Sequence, residues 1–84
     1  MNLHERARLV RTPADLVALI DELSRDLEAN PDAWENSDLP SFLAAMAAFI
    51  SDVEGFYRST GQELDTQPPW RVIADVLMGA RVYE

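Results

Sequence analysis

The sequence predicts an all-α fold, a compact bundle of three main helices with a short fourth piece from a break near Gly55. Three observations predict it. Large apolar residues recur every three to four positions in three separate stretches. Helix starts and stops punctuate those stretches at Thr12-Pro13, Asn30-Pro31, Gly61 and Pro68-Pro69. The chain has 84 residues and no cysteine, which leaves room for one core and no disulfide framework.

The first stretch opens at Thr12-Pro13-Ala14-Asp15. Thr12 is suited to accept a bond from a free backbone N–H, and Pro13 sits where its missing donor costs nothing. Asp15 places negative charge at the positive end of the helix dipole. Leu16, Leu19, Ile20, Leu23 and Leu27 follow at helical spacing, with Asp21, Glu22, Arg25 and Glu28 on the other side. Asn30-Pro31 is the expected end, through a left-handed asparagine and a proline that cannot continue the ladder.

The second stretch runs from about Asp38 to about Arg58, with Asn36 or Ser37 as its expected cap. Leu39, Phe42, Leu43, Met46, Phe49, Ile50, Val53 and Tyr57 form one broad apolar stripe. Ala44, Ala45, Ala47 and Ala48 let neighbours approach closely, so this reads as the central helix. Gly55 is the expected bend and Gly61 the expected stop. The third stretch covers about Pro69 to Val82, with only Arg71, Asp75 and Arg81 charged. A helix apolar nearly all round is threaded through a core or faces a second chain. Leu43 and Leu77 are taken as core positions, and Asp75 with Arg71 or Arg81 as an internal brace.

Residues 1–11 are expected to be a mobile basic arm, and residues 12–84 one helical domain. The arm carries three arginines against one glutamate, whereas residues 12–57 carry ten acids against Arg25 alone. The net charge is −8. An acidic body repels phosphate backbones, so nucleic-acid binding is not expected. The longest apolar run, Phe42 to Ile50, falls well short of the roughly 20 residues of a membrane helix, and the N-terminus lacks a signal-like run. The expected localisation is cytoplasmic, without membrane attachment. All seven basic residues are arginine, from which no function follows.

Chemistry-bearing residues are sparse. His4 is the single histidine and sits in the arm, so neither a metal site nor a catalytic triad is expected. Glu22 and Asp26 share a helix face with Asp15 further along, but a solvated surface explains them better than a cation site. The glycines are scattered and form no phosphate loop. No catalytic, cofactor-binding or metal residue is assigned.

The combined pattern Trp34-Glu35-Asn36, Leu39, Phe42-Leu43, Ala45, Asp52, Gly55-Phe56-Tyr57, Pro69-Trp70, Ala74-Asp75, Leu77, Ala80 and Tyr83-Glu84 resembles a family of short acidic bacterial proteins known as a domain of unknown function. The resemblance covers roughly residues 12–84. Phe56 stands where that pattern has tyrosine, and Pro69 where it has serine. The resemblance supports the helical fold and carries no activity with it.

Three functions are weighed. The first is a protein–protein interaction module, non-enzymatic and immunity- or inhibitor-like, with Trp34, Glu35, Tyr57, Trp70 and Tyr83 as partner-binding residues. For Trp34 and Trp70 a packing role weighs more than an anchoring one. The second is a ligand-binding or catalytic domain, with an aromatic-lined pocket among the Trp34 loop, Asp52, Tyr57 and the head of the third helix. The third is an accessory subunit that forms a homodimer through the third helix.

Overall fold

The protein is described here by a computed structural model covering residues 2–65 and 69–83. The fold is all-α, and no strand occurs among the described residues. The helices are α1 (Leu3–Arg8), α2 (Pro13–Ala29), α3 (Leu39–Ser51), α4 (Val53–Ser59) and α5 (Trp70–Ala80), with a 3₁₀ turn at Pro31–Ala33. The chain divides into two units, residues 1–48 and 49–84, taken separately below. The link residues Gln67 and Pro68, and the closing Glu84 of the sequence pattern, lie outside the described residues.

In the first unit, the segment expected to be an arm is helical over Leu3–Arg8. The cause is local. Asn2 Oδ1 accepts from the backbone N–H of Glu5 at 2.8 Å, and Asn2 Nδ2 donates to Glu5 Oε1 at 3.1 Å. This reciprocal pairing satisfies an orphan donor at the helix start. α1 packs against α2, with Arg6 Nε 2.8 Å from Glu22 Oε2.

α2 starts as expected. Thr12 Oγ1 accepts from the Asp15 N–H at 3.1 Å, and Asp15 Oδ2 accepts from the N–H groups of Thr12 and Arg11 at 3.2 and 3.1 Å. Its end differs from the expectation. Asn30 has φ −136° and ψ 56°, not a left-handed conformation. Pro31 disfavours helical conformations for the residue before it. The Asn30 N–H still donates to the Asp26 carbonyl, at 2.7 Å.

The cap of α3 also lies elsewhere than expected. Asp38, not Asn36 or Ser37, accepts from the Ser41 N–H at 2.9 Å and from the Ser41 hydroxyl at 3.1 Å. Pro40 occupies the first turn, where no N–H is needed. The α3 segment continues past Ala48 into the second unit and ends at Ser51.

In the second unit the anticipated break is at Asp52, three residues before Gly55. There the Asp52 N–H donates to the Phe49 carbonyl at 3.0 Å, a tightened turn, and α4 restarts at Val53. Aspartate side chains compete for backbone groups and so disfavour helix interiors, although Asp52 makes no side-chain cap bond here; Gly55 is accommodated inside α4. α4 stops at Gly61, which has φ 70°. The Gln62 N–H donates to the Tyr57 carbonyl at 2.8 Å and the Gly61 N–H to the Arg58 carbonyl at 3.3 Å. This is a Schellman closure, and it needs a residue that tolerates positive φ.

No described side chain reaches full burial. Leu43 and Leu77, expected in a core, are 45% and 40% exposed. Each unit has roughly 40 residues, near the lower limit at which a chain encloses a core without other help. Arg71 and Asp75 do pair, at 3.4 Å, but on the surface rather than as an internal brace. An exposed pair of this kind contributes about 0–1 kcal/mol.

Two outcomes follow. Gly61→Ala forces a Cβ into the left-handed region and lowers stability by about 1 kcal/mol, measured as a shifted urea midpoint by circular dichroism. The second concerns acid. The Asp15 carboxyl is held below its ordinary value, chiefly by the Arg11 backbone N–H; desolvation opposes this, and Thr12 adds to it. A lowered native pKa stabilises the fold above the unfolded value of about 4 and loses that effect as pH falls through the native one. Helicity between pH 5 and 2.5 therefore falls more steeply in the native chain than in Asp15→Asn.

Candidate functional site

Trp34 is the best-anchored of the five candidate residues. The 3₁₀ turn after α2 folds the chain back, with the Trp34 N–H donating to the Pro31 carbonyl at 3.1 Å. The indole Nε1 then donates to Asp26 Oδ2 at 2.8 Å, while Asn30 Nδ2 donates to Asp26 Oδ1 at 3.1 Å. The indole ring stacks on Phe42, with centroids 6.3 Å apart and planes at 28°. Trp34 is half-buried in this setting. Its indole donor is satisfied within the unit, which favours the packing role. Glu35, its neighbour, is exposed.

Three acids of α2 have protein partners. Asp15 closes the helix cap, Glu22 meets Arg6, and Asp26 holds Trp34 and Asn30. Among the described residues, no group of three or more histidines or acids converges as a metal site. His4 lies in α1 and is exposed.

The second unit holds the other three candidates. Tyr57 is half-buried and meets Phe56 edge-on at 5.8 Å, and Phe56 in turn lies 4.9 Å from Phe49. Beside Tyr57 is an open groove of about 380 Å³, lined by Glu54, Tyr57, Arg58, Gln62, Leu64 and Asp65. Its lining mixes one cation with two carboxylates and includes no histidine. Trp70 heads α5 at 41% exposure, and Tyr83, past its end, is 90% exposed. The α5 side chains Val72, Val76 and Met78 are each more than half exposed. Thus Trp34 and Glu35 belong to the first unit, and Tyr57, Trp70 and Tyr83 to the second.

The Arg6–Glu22 contact and the role of Asp26 are absent from the sequence expectations. The Asn2-x-x-Glu5 spacing was the available signal for α1. Nothing local in the sequence marks Asp26 as the acceptor for an indole eight residues later.

Residues 12–84 match a family of unknown function (DUF7660). The chain belongs to that family. Neither a curated protein nor a solved structure matches it. The family span begins at the cap of α2 and leaves α1 outside. It includes Trp34 and its Asp26 partner, together with the groove beside Tyr57.

Trp34→Phe keeps a ring for Phe42 but removes the donor to Asp26. A hydrogen bond to a charged, partly solvated acceptor contributes about 1–2 kcal/mol. The unfolding free energy from urea titration is expected to fall by that amount, with Glu35→Gln unchanged within about 0.5 kcal/mol as the control.

Proposed function

We propose that this chain is an acidic protein-binding module whose apolar helix faces are completed by another polypeptide. One observation carries the reading. The described residues enclose no fully buried side chain, while Val72 and Val76 of α5 stand 60% and 56% exposed. Covering a valine or leucine side chain contributes roughly 1.5–3 kcal/mol, so an amphipathic face of this kind has much to gain from a partner.

The net charge of −8 favours a basic partner over a second acidic copy, because complementary charge speeds association and like charge opposes it. An immunity- or inhibitor-like role toward a basic protein is the most specific form of this proposal. No step of it requires a catalytic group or a cofactor. A homodimer through α5 is the competing form. It would bury the same valines against the same electrostatic cost.

The test compares capture from native extract by the wild-type chain and by Val72→Asp with Val76→Asp. Both valines are more than half exposed, so the double variant is expected to keep its helical circular dichroism. It is expected to lose at least nine-tenths of a specifically retained protein. Equal retention by both chains, or no specific retention by either, would overturn the reading. Light scattering at tens of micromolar reports a homodimer directly as a doubled mass.

A further inference from the structure

We infer that α1 is a displaceable plug on α2, and that the surface beneath it is a docking site for a short basic amphipathic helix of another protein. The inference rests on the binding-module reading and names the partner's chemistry.

The half-buried positions of α2 are Leu19, Glu22, Leu23, Asp26 and Leu27. At 100° per residue they fall on one stripe. α1 packs on this helix, and Leu3, Arg6 and the following Val10 are its half-buried side chains. α1 has six residues, whereas isolated helices shorter than about 12–15 residues are marginal in water. Packing on α2 therefore holds α1, and a better-fitting helix displaces it.

Charge defines what fits. Arg6 Nε lies 2.8 Å from Glu22 Oε2. That nitrogen is closed off from solvent yet makes no well-aligned hydrogen bond among the described residues. The contact is a charge pairing in a partly dry setting. The segment bearing Arg6 is net basic and α2 is net acidic; of the α2 acids, Glu22 and Asp26 lie on the half-buried stripe, Asp26 being held by Trp34 and Asn30, while Asp21 and Glu28 are exposed on the other side.

Length argues that α1 leaves the site incompletely filled. Leu16 and Ile20 continue the leucine stripe of α2, yet they remain 43% and 51% exposed. From Leu16 to Leu27 is about 17 Å of helix, while α1 spans about 9 Å. A helix of three turns, with apolar residues on one side and an arginine to meet Glu22, covers what α1 does not. The family span also begins after α1, so the face of α2 that carries Glu22 belongs to the shared domain and the plug does not.

The probe is a synthetic peptide of residues 1–11, titrated into full-length chains. Arg6→Glu weakens the plug in cis, and that chain is expected to bind the peptide at least tenfold tighter than wild type. Glu22→Arg alone also weakens the plug in cis, and that chain is expected to reject the native peptide and to bind a peptide carrying Arg6→Glu at least tenfold tighter. Wild-type protein provides a mutation-free arm, in which excess peptide speeds hydrogen exchange of the chain's own α1 amides at least tenfold. Equal affinity for wild type and Arg6→Glu, no charge-reversal rescue, or α1 exchange unmoved by saturating peptide would each overturn the plug. These outcomes are independent of capture through α5, so a failed plug with intact capture leaves the module reading standing.

Discussion

Local hydrogen bonding is the constraint on which the rest of this structure depends. Helix ends leave backbone donors and acceptors unsatisfied, and here nearby side chains take them up. Asn2, Thr12 with Asp15, and Asp38 close the starts of α1, α2 and α3, and the Gly61 turn closes the end of α4. With no described side chain fully buried, these short-range bonds mark where α1, α2 and α3 begin and where α4 stops. The hydrophobic term, which normally dominates folding, is only partly used. Helices of six, seven and eleven residues cannot draw much stability from propensity alone. Their apolar faces thus matter as much for what they meet as for how they fold.

Much of this was legible in the residues. Thr12-Pro13 and Gly61 mark boundaries through chemistry confined to a few neighbouring atoms, and both do in the structure what that chemistry requires. The all-α class followed from apolar spacing, which needs no knowledge of what each face touches. Expectations weakened where competing local signals lay close together. Asn36, Ser37 and Asp38 all cap well in principle, and the proline after Leu39 gives no clue to which one does. Gly55 looked the weaker helix former, but the turn tightened at Asp52 instead.

Burial was the least legible property. Periodicity tells which residues of a helix share a side and nothing about whether that side is covered. Leu43 and Leu77 keep the expected spacing and still face water. The Trp34 site was half legible. Its packing role was foreseeable from an indole at a helix junction, whereas its bond to Asp26 depends on how the 3₁₀ turn reverses the chain. Asp26 therefore reads as one more surface acid until the fold brings the indole to it.

The tryptophans have a practical consequence. Trp34 sits in the first unit against a carboxylate and a phenyl ring, and Trp70 heads α5 in the second, open to water. Their intrinsic fluorescence is therefore a sum of two environments, the sheltered indole emitting to the blue of the solvated one. Removing either ring leaves a single optical reporter confined to one half of the chain, so the unfolding of each half can be followed by itself without any attached dye.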